Sequence, residues 1–324
     1  MTDFLWRDGD RKIRFGRGAI RDTDALIEDG FVLLTTERGK DLVPGLAGRA
    51  DDVVIVGHGL VDELSEELLA TVKGDRLVAL GGGRVVDTAK AIGAVTGAWV
   101  GAIPTTLSGA EMTPIHRLPK SAPRGTHPIR PKLVINDPAL TASQPPAELA
   151  ASAANALAHA IEGRVTVRSS PVPSMAAEEA TRLIDIAFYG DEITNGDREK
   201  LALGALLAGY TTDSTGIALH HVMAQTLVRV GGAPHAASNA VLLPQTIGAL
   251  ERRTPGYVDS DGTLKELALK LAKLAGTERI RDLGVDESVL AKCAKAAASR
   301  DTQLALTPPA ADEAELLSIY QAAW

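Results

Sequence analysis

Three histidines and two amides at matched intervals are the residues of this chain best suited to chemistry. Asn155 and His159 stand four apart in Asn155-Ala-Leu-Ala-His159-Ala-Ile-Glu162, and His221 and Gln225 repeat the interval in His220-His221-Val-Met-Ala-Gln225. Both blocks read as helical, so each pair points one way. His235 follows in the loop-like Gly231-Gly232-Ala233-Pro234-His235. Imidazoles titrate near neutrality, so such a set can hold an anion, protonate a developing alkoxide or ligate a divalent metal. The remaining histidines, His58, His116, His127 and His220, read singly as structural.

A second kind of chemistry is written in Gly81-Gly82-Gly83-Arg84-Val85-Val86-Asp87-Thr88-Ala89-Lys90, which follows the apolar run Leu77–Leu80. Strand, three glycines and then a helix let backbone N–H groups approach a diphosphate at the helix N-terminus. A glycine-rich turn without a ligand is the plain alternative, because a lone glycine motif is a weak signal. Some twenty residues on, Pro104-Thr105-Thr106-Leu107-Ser108-Gly109-Ala110-Glu111-Met112-Thr113 offers hydroxyls beside that turn. The candidate cofactor residues are therefore Gly81, Gly82, Gly83, Arg84, Asp87, Thr88, Thr105, Thr106 and Ser108, with Thr36 at the end of an earlier strand. Thr36 is small and neutral and is followed by Glu37 and Arg38, residues of opposite charge, so NAD(H) and NADP(H) both stay open.

These residues need elements to hold them. Phe31–Thr35, Val53–Val56, Leu77–Leu80, Val100–Ile103 and Lys132–Asp137 read as parallel strands, with helices expected at Ile20–Glu28, Leu60–Thr71 and Val85–Thr96. This is a doubly wound, Rossmann-like α/β domain. After Gln144-Pro145-Pro146 the period turns helical: 147–164, 174–188, 197–210, 218–228, a short piece near 240–250, 264–275 and 288–299. The expected division is a dinucleotide-binding domain over 1–143 and an all-α substrate and metal-site domain over 144–324. Residues 116–130 form a long basic loop, functional or merely solvated.

Composition sets outer limits. Across 324 residues the net charge is −7 with no long basic run, which argues against nucleic acid or an anionic membrane as partner. Aromatic residues are only 3%, so the core must rest on Ala, Leu, Val and Ile. One cysteine, Cys293, rules out an internal disulfide and reads as a buried small residue. The first residues lack an apolar leader and no segment is long enough to span a membrane, so a cytoplasmic protein is expected.

The five blocks GGGRVVDTAK, PTTLSGAEMT, NALAHAIE, HHVMAQTLV and PHAASNAVLLP, in that order, resemble the iron-containing alcohol dehydrogenase family, most nearly its maleylacetate reductases. The resemblance implies the dehydroquinate synthase-like, iron alcohol dehydrogenase fold and an NAD(P)H-dependent reductase of a small carboxylated ketone or enone, such as maleylacetate reduced to 3-oxoadipate. A non-redox cyclase or lyase on the same fold is the alternative. A small-molecule substrate and a homodimer are expected.

In metal-dependent members the matching residues would be His159, His221 and His235, with aspartate where this chain has Asn155. Three imidazoles suffice for Fe2+ or Zn2+. Loss of the carboxylate, however, leaves the ion's charge uncompensated, and the reductases resemble this chain in carrying asparagine; no required metal is the expectation. Two departures stand out: Gln225 where the reductases have histidine, and Arg84 where serine is usual. Gln225 can hydrogen-bond but not titrate. The charge of an acidic substrate would be offset by imidazolium, or by a cation such as Lys132.

Overall fold

Seven strands form one sheet in the order β1-β2-β7-β6-β5-β3-β4. They are β1 Phe4–Asp8, β2 Arg11–Phe15, β3 Val32–Thr35, β4 Asp52–Ile55, β5 Arg76–Gly81, β6 Trp99–Pro104 and β7 Leu133–Asn136. All neighbours pair in parallel except the β1–β2 hairpin, where Phe4 faces Phe15. This computed structural model describes residues 3–190, 192–259 and 261–324.

The apolar runs of the parallel strands are continuous because both faces of the sheet are covered. Successive side chains alternate, so Val32, Leu34, Leu77, Ala79, Val100 and Ala102 pack with Val85, Val86, Ala89 and Ile92 of the Gly83–Thr96 helix. Leu33, Val78, Leu80, Ile103, Leu133 and Ile135 pack with Ala19, Ile27, Phe31, Leu46 and Leu140 on the other side. Chain order reverses between β3 and β5, and a doubly wound sheet opens its ligand crevice at the carboxyl ends of the strands flanking such a reversal. Those ends carry Thr35-Thr36 and Gly81-Gly82-Gly83.

Local structure departs from the sequence reading in four places. No strand is expected before Phe31; β1 and β2 are short and half polar, and join the sheet because β2 pairs with β7 and β1 pairs with β2. The expected helix over Ile20–Glu28 is a 3-10 turn, Ala19–Asp22, and a single α-turn, Thr23–Leu26. The Asp137 carboxylate accepts the Gly18 and Ile20 N–H groups there and fixes the tighter path. Two short helices, Glu37–Leu42 and Pro44–Arg49, fill the connection after β3, the first capped by Thr36 Oγ1, which accepts the Gly39 N–H at 3.0 Å. His235, expected in a loop, opens the helix His235–Arg253, which is far longer than the expected 240–250 piece; Pro234 at φ −64° sets the chain entry.

The residues group into two compact units, Met1–Ser143 with Thr194–Gly209 and Gln144–Ile193 with Tyr210–Trp324. The second is helical and is built around Pro146–Val165, in which every residue from Leu149 to Gly163 except His159 is buried. A helix apolar on all sides must be central, and it packs against Pro171–Ala187, His235–Arg253 and Thr263–Leu274. Alanine and glycine bring neighbours close: a Cβ on Gly163 would stand 2.3 Å from Thr211 Cγ2. Cys293 is buried, and burial pushes its thiol up to about 11, so it is inert. No helix among the described residues is long and apolar enough to cross a membrane.

Candidate active site

The glycine turn is shaped as much by packing as by any ligand. Gly81 ends β5, Gly82 caps the following helix without a side-chain cap, and Gly83 is its first residue. A Cβ on Gly82 would lie 2.8 Å from Thr106 Cγ2, and one on Gly83 would lie 3.0 Å from the Ser108 side chain. Thr105 N–H donates to Gly81 O at 2.9 Å. The structure therefore brings Gly81–Gly83 together with Thr105, Thr106 and Ser108. Thr36 lies at the end of the adjacent β3, where the Thr35 hydroxyl donates to Leu80 O at 2.8 Å. Arg84 is in the first helical turn, with its Nε buried and without a hydrogen-bond partner among the described residues.

Asp87 and Thr88 face elsewhere. The Thr88 hydroxyl donates to Arg84 O at 2.8 Å and its side chain is fully buried. Asp87 pairs at 2.7 Å with Lys90, which has no exposed surface and donates to Ala110 O and Thr113 O. Lys90 thereby ties the glycine-turn helix to the loop after β6. Glu111, in that loop, is buried and neither carboxyl oxygen has a hydrogen-bond partner among the described residues. Burial pushes it up to about 7, against the pull of Lys90 and Arg11.

In the helical unit, His159 and His221 stack at 4.0 Å with planes 12° apart. Glu162, one turn after His159, was not among the expected site residues. Its buried carboxylate accepts from Ala218 N at 2.8 Å, His220 N at 2.6 Å and His221 Nδ1 at 2.8 Å. The first two are backbone donors at the start of the Leu219–Gly231 helix, a position where a carboxylate is favoured. The third fixes the His221 tautomer: Nδ1 carries the proton, and Nε2 is left as a buried acceptor with no partner among the described residues. His159 Nδ1 is likewise buried without one. The signal for Glu162 lay in the sequence, at i+3 from His159, but its partners come from a helix some sixty residues away.

His220 is structural, as its isolated reading suggests: Nδ1 meets Thr246 Oγ1 at 2.7 Å and Nε2 meets Asn239 Oδ1 at 3.1 Å. His116 also serves structure, its Nε2 accepting the Ile129 N–H at 3.1 Å across the long loop. His235 is exposed, near enough to His221 and His159 to disfavour their protonation. Asn155 is buried one turn before His159. Gln225, one turn after His221, accepts from Arg300 Nη1 at 2.8 Å. Lys132 is in the other unit and is ion-paired with Asp10.

Burial sets the charge of this cluster. It holds His220 and His221 down at about 3, with nearby like charges adding to the effect, and holds His159 well below its usual value. Burial therefore works against the imidazolium expected to offset a substrate's charge.

The residues match Iron-containing alcohol dehydrogenase over 10–138 and the Fe-containing alcohol dehydrogenase family, C-terminal, over 149–278. Maleylacetate reductase of Rhizobium sp. (strain MTP-10005) is 35% identical over 296 residues, 86% of this chain and 82% of the relative. That of Sphingobium indicum is 34% identical over 314 residues, 87% of each. The crystal structure of the Rhizobium enzyme superposes with a TM-score of 0.83 at 28% identity, over 100% of this chain and 98% of that one. The chain belongs to the iron-containing alcohol dehydrogenase family. It is an oxidoreductase, and these relatives, all reductases, disfavour the cyclase or lyase alternative.

The family description implies iron, and the donor set tests whether iron fits. Ligating imidazoles must aim in-plane lone pairs at one point about 2.0–2.1 Å away. Near-parallel rings 4.0 Å apart direct theirs side by side, and Asn155 brings no charge. Among the described residues no group of three or more His, Cys, Asp or Glu is placed to hold a metal ion. The arrangement does not fit a metal centre.

Proposed function

We propose that this chain is an NAD(H)- or NADP(H)-dependent reductase of a small carboxylated enone or ketone, of the maleylacetate reductase type, with no required metal. The observation that carries the reading is His221, its Nδ1–H held by a buried carboxylate and its Nε2 left to face a reacting group. Such a dyad lets an imidazole take and return a proton in one fixed orientation. The relatives' activity supports the same reading.

A reduced nicotinamide, when bound, would supply the hydride that the substrate carbon accepts. His221 Nε2 is the group placed to deliver a proton to the resulting alkoxide or, for an enone, to the enolate, whose enol then tautomerises to the ketone. The negative substrate favours loading that proton, since an adjacent anion stabilises imidazolium, and Glu162 stabilises the protonated ring from its other side. His159 and His235 flank the reacting group, and Asn155 offers a neutral hydrogen-bonding amide. On the cofactor side, the free N–H groups at the start of the Gly83–Thr96 helix and the Arg84 side chain receive the diphosphate, Thr36 lies toward the ribose, and Thr105, Thr106 and Ser108 line the turn. A cytoplasmic homodimer belongs to the same reading, and light scattering tests the assembly.

The test is a fluorescence titration with NADH and NADPH, followed by turnover of maleylacetate and a neutral enone with the reduced cofactor and of a simple alcohol with NAD+ or NADP+. Cofactor oxidation is expected with maleylacetate. Oxidation of the alcohol alone would overturn the substrate class.

A further inference from the structure

The glycine turn leaves one choice of cofactor open, a 2′-hydroxyl or a 2′-phosphate on the adenosine ribose, and the residues that decide it stand beside the turn. β3 pairs in parallel with β5, Thr35 opposite Leu80, so the chain leaving β3 at Thr36 runs alongside Gly81, about 4.8 Å away across one strand spacing. A dinucleotide whose diphosphate lies on the glycine turn carries its ribose toward that strand end. An acid there would hold a free ribose diol, but Thr36 has no carboxylate and its Oγ1 already accepts the Gly39 N–H at 3.0 Å. The turn that follows rests on the neighbouring strand: a Cβ on Gly39 would press on Thr35 Oγ1 and lie 3.1 Å from Leu80 O, one residue before the glycine turn. Gly39 is buried and Arg38 exposed, so the guanidinium leaves from the solvent side of that contact.

Arg38 does nothing for its own helix, Glu37–Leu42. A first turn favours acids, as at Glu37, and disfavours a cation. The side chain instead reaches the carbonyl of Ser143, 105 residues further along the chain, with Nη2 donating at 3.4 Å. That carbonyl follows the short helix Pro138–Thr141, which is tied to the end of β6 by the Thr141 hydroxyl on Pro104 O at 3.1 Å. Arg38 is thus drawn along the rim formed by the carboxyl ends of the strands. A bond of 3.4 Å is long and weak, and Arg38 makes no other polar contact among the described residues, so its remaining donors and its charge are uncommitted. We propose that Arg38 binds the 2′-phosphate of the cofactor and makes the protein prefer NADP(H) to NAD(H). This rests on the reading of the glycine turn as a dinucleotide site, and it narrows the cofactor that the site takes. A guanidinium offers two parallel N–H groups to a phosphate, and the exchange gives up only the weak bond to Ser143 O. NAD(H) brings no such partner, and with it Arg38 stays on Ser143 O.

The experiment uses the full-length protein. Dissociation constants of NADPH and NADH come from cofactor fluorescence, and those of 2′,5′-ADP and 5′-AMP, which carry the adenosine end alone, from calorimetry. Wild type should bind NADPH about tenfold or more tightly than NADH, and 2′,5′-ADP more tightly than 5′-AMP by a similar factor. Arg38→Ala should weaken NADPH and 2′,5′-ADP by about 10–100-fold, the range for a hydrogen bond between charged groups, and leave NADH within about twofold. Arg38→Lys should keep part of the preference, because a point charge replaces the fork. Glu37→Gln should move the NADPH-to-NADH ratio by less than about threefold, since an exposed charge that touches no phosphate is screened. A wild-type preference for NADH, equal affinity for the two cofactors, equal weakening of both by Arg38→Ala, or a larger change from Glu37→Gln than from Arg38→Ala would overturn the assignment. Arg38-dependent binding of 2′,5′-ADP by a protein that oxidises neither cofactor with any keto acid would instead sink the reductase reading and leave the 2′-phosphate site standing.

Discussion

The glycine turn and the histidine cluster solve the problem of site construction in opposite ways. The first is made of backbone: three consecutive residues at a strand end, closed by a loop only some twenty residues further on. The second is made of side chains: His159 and Glu162 from one helix, His221 and Gln225 from another, with burial weighing on their charge. A backbone site is damaged by adding atoms, a side-chain site by removing them. The two should therefore fail differently when changed.

The largest effect is expected in the side-chain site. His221→Ala should lower turnover by about 10²–10⁴, the usual range for a lost general acid, with cofactor affinity little changed. Glu162→Gln should cost nearly as much, about 10²–10³, because the amide no longer dictates which His221 nitrogen carries the proton. It should also cost about 1–3 kcal/mol of stability, since a buried three-donor acceptor is degraded. Kinetics with full-length variants, read beside thermal melts, check both. A Glu162→Gln protein with wild-type turnover would reduce Glu162 to a helix-start brace.

In the backbone site, Gly82→Ala places a Cβ 2.8 Å from Thr106 Cγ2, so loss of cofactor binding there would not by itself locate the diphosphate. Pairing it with Thr106→Ala removes that clash and leaves the new methyl at the turn. If the double variant melts like Thr106→Ala yet binds reduced cofactor at least tenfold more weakly, the turn is a phosphate site. Recovery of both properties would make it a packing site only.

A subtler difference concerns buried charge. Glu111 has its pKa raised by burial from 4.5 to about 7. The folded state then holds a proton that the unfolded state releases, so this group's contribution is fullest below about pH 4.5 and is lost as pH rises toward 7. A shift of that size corresponds to about 3 kcal/mol. Glu111→Gln should flatten the stability-pH curve over that window in denaturant titrations, with a variant more stable than wild type near pH 7. An unchanged curve would mean that Lys90 and Arg11 keep Glu111 ionised.

What was legible in the sequence follows the same division. The glycine turn, the parallel strands and the β6 loop were readable because their constraints are local in the chain. The helices carrying Asn155, His159, His221 and Gln225 were readable from period and spacing. Glu162 was not singled out, since its importance lies in contacts with residues distant in sequence. The inward position of Thr88, fully buried with its hydroxyl on Arg84 O, was not legible either, because spacing along a helix start does not say which face meets the sheet. The pressure of burial against protonation of His159 and His221 was also hidden, because only the packed helices around Pro146–Val165 reveal it.

The smallest expected effect is from Asn155→Asp, which should raise bound iron or zinc above wild type by elemental analysis without raising turnover. The central claim is that a carboxylate-held imidazole, rather than a metal ion, activates the substrate. Its most direct test is the rate of cofactor oxidation with maleylacetate by wild-type protein stripped with a chelator and shown by elemental analysis to hold far less than one metal ion per chain. The account predicts a rate equal to that of the untreated protein. A rate that falls in proportion to the metal removed, and returns when iron or zinc is restored, would contradict it.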